Sequence, residues 1–404
     1  MCSIKNVCLL IISLWLAKQS LAYEGFEFSK HQVEVSSNIS ISLDVYKPIA
    51  PLKTKALVVV SPGSDGLGDL CVGKFLNDKT VNFHHRCGLV KIFVDKGYAV
   101  AFYSQRGLLR LSECLQGDDF ESRRQSYSLN CYLPEVRKEL DLYTTTDDTE
   151  KVYTFLSKLF EKNLAVISLP TSEGSYHISK LVGAGKIKPI GVVLFSGVFG
   201  SMKNFWDHQR NYTIFFEKIE ATFKHFNRDV ITLDEIIEVN HLDSEYERQK
   251  NKPWNFREFI GLDVTSRNTI DIFYDKALKY KNLWESRAAD PTYKEPIAGD
   301  LYGMTFPNYK SMDFARQLLT STEKLSDSYK GFPGKVIYVY GAFDRQMKIP
   351  PEGNCGIPQT ACQVKILQHV GHGLEDASGE MPASSLNQLL DSVNEVYEYS
   401  KAHR

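Results

Sequence analysis

Short apolar runs punctuate the chain at Ala56–Val60, Tyr98–Tyr103, Leu164–Leu169, Gly191–Phe195, Lys335–Tyr340 and Val364–Gln368. Each is rich in β-branched or aromatic residues and too short for a helix, as strands buried on both faces of a parallel sheet should be. Ile39–Tyr46 instead alternates polar and apolar positions, which predicts a half-buried antiparallel edge strand. Helical spacing fills the gaps between runs. Before Leu164, Val152, Phe155, Leu156 and Leu159 fall on one helical face, with Asp147 as a cap and Glu150 three residues on. Strands alternating with helices predict an α/β fold with a mostly parallel sheet covered on both faces.

The rhythm stops between about Ser201 and Gly331. That segment is aromatic, charged and mainly helical in pattern, as in Tyr212–Phe226 and Thr269–Trp284. A structureless loop of this length is improbable inside a compact domain, so 201–331 reads as a helical cap inserted into a core made of 23–200 and 332–404.

Composition narrows the class without deciding it. With 404 residues, 43% of them hydrophobic and 24% charged, the chain buries a large core. A net charge of -1 with no long single-sign run gives no electrostatic reason to expect nucleic acid. Lys5, the apolar stretch Val7–Ala17 and Ser20-Leu21-Ala22 match an export signal cleaved after Ala22, leaving a secreted or periplasmic protein. The apolar stretch falls short of the ~20 residues that span a bilayer, and no later segment is long enough either.

Export bears on the cysteines. Cys2 and Cys8 leave with the signal, and Cys71, Cys87, Cys114, Cys131, Cys355 and Cys362 remain. Their sequence-local grouping favours disulfides Cys71 with Cys87, Cys114 with Cys131, and Cys355 with Cys362. No metal is expected, because His84-His85-Arg86-Cys87 lacks a second ligand pair at a zinc spacing. Asn38-Ile39-Ser40 and Asn211-Tyr212-Thr213 match N-glycan acceptors.

The candidate chemistry begins after Leu164–Leu169. Pro170-Thr171-Ser172-Glu173-Gly174-Ser175 leads into a helical stretch from Tyr176, and a strand, tight turn and helix in that order hold a serine hydroxyl up at the sheet end. Gly174 and Ser175 are small, as the sharp turn requires. A nucleophilic serine needs a base and an acid to orient it. Lys335–Tyr340 leads into Gly341-Ala342-Phe343-Asp344, and Val364–Gln368 into His369-Val370-Gly371-His372-Gly373. The order Ser172, Asp344, His372 assigns nucleophile, orienting acid and base. His369, closer to the strand, is read as structural. The oxyanion donors are expected at the amides of Glu173, directly after the nucleophile, and Ser64, in the loop Ser61-Pro62-Gly63-Ser64-Asp65-Gly66. That loop lacks the Gly-Lys-Ser or Gly-Lys-Thr ending of a phosphate site, and no cofactor is expected.

The strand before Ser61-Pro62-Gly63, the run Gly97-Tyr98-Ala99-Val100 leading to Gln105-Arg106-Gly107, the Ser172 turn, Gly341–Asp344 and His372 together resemble the α/β-hydrolase superfamily. The resemblance covers most of the chain outside the cap. It implies a mixed, mostly parallel eight-stranded sheet, a catalytic triad and a cap inserted after the sixth strand. The family usually has His-Gly where this chain has Pro62-Gly63, and Gly where it has Pro170.

The expected activity is hydrolysis of an acyl bond through an acyl-enzyme, with a small-molecule or lipid carboxylic ester as first choice of substrate. Phe205, Trp206, Tyr212, Phe215 and Phe216 either line an apolar acyl pocket or pack cap helices, and packing is the preferred reading. A peptidase of the same fold is the alternative, with Glu235, Glu238 or Asp243 as candidates to bind a free amino terminus. A non-catalytic binding protein that retains the fold is the other.

Overall fold

The computed structural model describes residues 21–23, 26–63, 84–110, 114, 130–160, 163–210, 304–344, 346–374, 376 and 381–403, with short pieces between 222 and 301. The expected export segment therefore lies outside the described residues up to position 20. Leu21–Tyr23, which straddles the expected cleavage site, forms a short strand, β1.

The sheet has ten strands. In chain order the next are β2 (Phe26–Ser36), β3 (Ile39–Pro48), β4 (Leu57–Ser61), β5 (Ala99–Tyr103), β6 (Val166–Pro170), β7 (Gly191–Phe195), β12 (Lys335–Gly341), β13 (Gly353–Asn354) and β14 (Cys362–Leu367). Spatially they run β1-β2-β3-β5-β4-β6-β7-β12-β14-β13. The pairs from β5 through β4, β6, β7 and β12 to β14 are parallel, whereas β1 to β3 join antiparallel at one edge. This is the mixed, mostly parallel sheet expected, with β1 and β13 as short additions at its two margins. The expected strands lie within two residues of the observed ones.

One strand is placed differently from its expectation. Ile39–Pro48 is not an edge but is flanked by β2 and β5, and both of its faces are buried from Ile41 to Tyr46. The polar half of its alternation is neutralised inside the protein: Arg110 Nη1 donates to Asp44 Oδ1 at 2.5 Å. Tyr46 packs its ring 4.9 Å from Phe28. A buried carboxylate is tolerated where an opposite charge and hydrogen bonds compensate it.

The helices cover both faces. On one side α1 (His84–Val94) and α7 (Ala383–Ala402) contribute Leu89, Phe93, Val393 and Val396 to a cluster with Val58, Val100, Ile167, Val193 and Ile337. Val396 lies so close that a Cβ on Gly191 would stand 2.2 Å from its Cγ1. On the other side are α3 (Leu142–Leu159) and α4 (Gly174–Gly183), following the single turn α2 (Pro134–Arg137). They contribute Val152, Leu156, Ile178 and Leu181 to a second cluster with Val59, Ala101, Val192 and Val336. The α3 helix starts earlier than the sequence pattern indicated. Its cap is Asp141, whose side chain accepts from the Thr144 amide at 2.7 Å, so Asp147 lies inside it. Thr145 and Thr146 of its first turns donate back to the carbonyls of Asp141 at 2.8 Å and Leu142 at 2.7 Å, and Gln317 Oε1 fastens the helix start by accepting from the Leu142 amide at 2.8 Å.

Of the expected cap, α5 (Met202–Arg210), the ribbons β8 (Val230–Ile231) with β9 (Asn268–Thr269) and β10 (Ile297–Leu301) with β11 (Met304–Lys310), and α6 (Met312–Thr320) are described. Trp206 is buried and Phe205 partly buried against the core, so these two aromatics pack, while Tyr212, Phe215 and Phe216 lie outside the described residues. Disulfides join Cys114 to Cys131 and Cys355 to Cys362, with Cα separations of 5.0 and 5.5 Å. The expected Cys71–Cys87 pair falls outside the described side chains. No helix among the described residues is long and apolar enough to cross a membrane.

Candidate active site

Between the end of β6 at Pro170 and the start of α4 at Gly174 the chain must reverse within three residues. Ser172 takes φ +47°, a left-handed conformation that costs a non-glycine residue about 1–3 kcal/mol and persists only where surroundings enforce it. Here they do. Thr171 N donates to Ser61 O at 3.0 Å, Ser172 N to Phe195 O at 3.1 Å, and Gly174 N to Thr171 O at 2.8 Å. Ser175 Oγ donates to Ser172 O at 2.5 Å. A Cβ on Gly174 would sit 2.5 Å from Pro62 O and 2.9 Å from Ser61 O, so only glycine lets α4 pass the end of β4. Pro170 is the last residue of β6, where its missing N–H removes little from the ladder.

The acid and histidine stand on the two loops that follow β12 and β14. A Cβ on Gly341 would lie 2.3 Å from the carbonyl oxygens of both Val370 and Gly371, which shows how closely these loops approach. Asp344 is fully buried. Its Oδ1 accepts from the amides of Gln346 at 2.9 Å and Met347 at 3.1 Å, and His372 Nδ1 lies 3.0 Å from Oδ1 and 2.9 Å from Oδ2. The imidazole keeps 20% of its surface exposed. A carboxylate on Nδ1 selects the tautomer protonated there, which leaves Nε2 with the lone pair a general base needs. His369 instead stacks edge-on with Phe343 at 6.0 Å.

Around Ser172 the peptide amides are unequally used. Those of Ser172 and Gly174 are hydrogen-bonded, whereas the Glu173 amide between them donates to no backbone carbonyl among the described residues. It also lies at the N-terminal end of α4, where the helix dipole favours negative charge. The loop after β4 approaches from the other side, since a Cβ on Gly63 would stand 3.1 Å from Ser172 Cβ. Gln105 Nε2 donates to Gly63 O at 3.0 Å, and Arg137, fully buried, donates from Nη2 to Gln105 Oε1 at 3.2 Å. Ser64 itself lies outside the described residues.

Sequence reasoning missed a buried charge pair beside the turn. Lys310, at the end of β11, donates to both oxygens of Glu173 at 2.7 and 2.6 Å, and both residues are buried. Burial alone would raise the Glu173 carboxyl, but Lys310 and then His177 outweigh it and bring it down to about 2. His177 Nε2 is 3.7 Å from Glu173, beyond hydrogen-bond reach. Thr146 Oγ1 donates to Leu142 O and lies 2.8 Å from His177 Nδ1, so it accepts the proton of that nitrogen. Burial holds His177 below the usual histidine range, with Glu173 opposing. No local pattern links residues 137 positions apart. Among the described residues no group of three or more His, Cys, Asp or Glu side chains is placed to hold a metal ion.

No protein-family model matches the chain, nor does any curated protein sequence. Solved structures do. A proline iminopeptidase from Mycobacterium smegmatis is 12% identical over 93% of this chain and 98% of its own, with a TM-score of 0.44. Est1E from Butyrivibrio proteoclasticus, bound to ferulic acid, is 10% identical over 92% and 99%, also with a TM-score of 0.44. A thermophilic esterase from Thermogutta terrifontis is 10% identical over 91% and 99%, with a TM-score of 0.43. The strand order, with β4 between β5 and β6, together with the left-handed turn after β6 and the loops after β12 and β14, gives this chain the α/β-hydrolase fold.

Proposed function

We propose that the chain is an exported serine hydrolase that cleaves an acyl bond, with a carboxylic ester as the first substrate class. Ser172 attacks the carbonyl carbon, His372 takes the hydroxyl proton and returns it to the leaving group, and Asp344 holds the imidazole and stabilises its charged form. The amides of Glu173 and Ser64 receive the oxyanion, and water then releases the acyl group from Ser172.

The observation that carries this reading is the Asp344–His372 pair, with a fully buried carboxylate spanning one ring nitrogen at 2.9 and 3.0 Å. The strained Ser172 supports it, because strained non-glycine backbone between a strand end and a helix start is frequent at active sites. The two disulfides support export, since such bonds persist in oxidising compartments.

A fluorophosphonate probe tests the proposal. Labelling of the wild-type protein that disappears in Ser172→Ala is the expected result. Folded wild-type protein that takes up no probe would sink the reading. A panel of esters of increasing acyl length beside aminopeptide substrates then separates esterase from peptidase.

A further inference from the structure

The end of β7 carries a second residue in the same uncommon backbone state. Ser196, one position beyond Phe195, has φ +47° and is 1% exposed. Its amide donates to Val339 O on β12 at 2.8 Å, and its hydroxyl donates to the backbone carbonyl of His372 at 2.6 Å. The carbonyl just before it, Phe195 O, accepts from the Ser172 amide at 3.1 Å. Two consecutive residues thus hold the nucleophile turn on one side and the histidine loop on the other.

We infer that Ser196 is a positioning residue: its hydroxyl ties the His372 loop to the strand end that also holds the Ser172 turn. The inference rests on the triad reading above and goes beyond it, because Ser196 belongs to no part of the triad. The left-handed step is what makes the tie geometrically available. It lets one residue give its amide to β12 and its hydroxyl to the loop after β14. The chain then turns away within one residue, where a Cβ on Gly197 would stand 2.9 Å from Leu194 Cβ. A serine with φ above zero is uncommon, and it persists where its surroundings over-determine it. A short hydrogen bond to a part-buried carbonyl, made by a buried serine, is such a surrounding.

No atom of Ser196 is assigned contact with substrate. It acts through His372, by fixing where the loop sits and hence how squarely Nδ1 faces Asp344. Loosening the loop weakens that pairing, and the imidazolium loses part of its stabilisation.

The test compares wild type, Ser196→Ala and Ser196→Gly. Alanine keeps the left-handed strain and removes the hydroxyl; glycine removes both and is the variant that folds most readily at this φ. Three quantities are measured: the rate of fluorophosphonate labelling at Ser172, its pH dependence, and the thermal midpoint. Both variants are expected to label roughly tenfold more slowly, the consequence of losing one hydrogen bond that places the His372 loop. Their acid limb should move to lower pH, because a less supported imidazolium gives up its proton more easily. A change confined to the thermal midpoint, with labelling rate and pH profile as in wild type, would overturn the inference. So would recovery of the wild-type rate in Ser196→Gly, since strain and not the hydroxyl would then be at work. Failure of the wild type to label removes the triad reading and this inference together, an outcome distinct from either.

Discussion

His372 Nδ1 lies 2.9 Å from Asp344 Oδ2 and 3.0 Å from Oδ1, and Oδ1 also accepts the amides of Gln346 and Met347. The two backbone donors fix which oxygen would survive as an acceptor in Asp344→Asn. The amide oxygen of the asparagine stays with them, and its NH2 group faces the imidazole. The ring then takes the other tautomer, with its proton on Nε2, and accepts nothing from Ser172. Asp344→Asn should therefore fold normally and lose about three to four orders of magnitude in labelling rate or kcat. Retention of more than a tenth of wild-type activity would contradict this role.

Gly174 offers a stability prediction. Alanine there would place its Cβ 2.5 Å from Pro62 O, a contact that only a shift of backbone relieves. Gly174→Ala is expected to cost about 1–3 kcal/mol by denaturant unfolding, in the range of other overpacked sites, and to slow labelling because the relief moves Ser172.

The Lys310–Glu173 pair predicts a double-mutant cycle. Lys310→Met alone leaves a buried carboxylate uncompensated and should cost about 3–5 kcal/mol, while adding Glu173→Gln should restore most of it. The pH dependence has a definite sign. The Glu173 carboxyl sits at about 2, below its ordinary 4.5, so its contribution is complete above about 4.5 and is lost as pH falls toward 2. Lys310 remains charged through that window. Circular dichroism should show the wild type losing more stability between those pH values than the double variant, and equal losses would exclude the mechanism.

Gln105 bridges Arg137 to the Gly63 carbonyl, so Gln105→Leu should orphan polar groups on both sides. The expected cost is about 1–3 kcal/mol in stability. Labelling should slow as well, since the loop after β4 packs against Ser172. Unchanged labelling with reduced stability would assign Gln105 to folding alone.

Most of the central sheet was legible because β4, β5, β6, β7 and β12 are buried on both faces and so appear as largely apolar runs, whereas β14 is only half-buried and carries Gln363 and Lys365 on its more open face. β2 was not, since Phe26–Ser36 carries charged and polar residues at most positions and its buried residues, Phe28, Val33 and Val35, do not keep one alternation along the strand. Its absence from the pattern is why β3 read as an edge. Ser172, Asp344 and His372 could be singled out because each follows a recognisable strand. The residues around them carry no comparable signal. The left-handed φ of Ser196, the reach of Lys310 across 137 positions and the relay from Arg137 through Gln105 arise only when distant segments meet.

The packing of α7 against β7, with Val396 filling the space Gly191 leaves open, sets an order of events during synthesis. The ribosome delivers Ser172 some two hundred residues before His372, and the face of the sheet that α1 shares with α7 stays open beside β7 until positions 383–402 have emerged. Under the proposed mechanism a nascent chain thus holds its nucleophile without its base, and competence arrives together with the closing of the core.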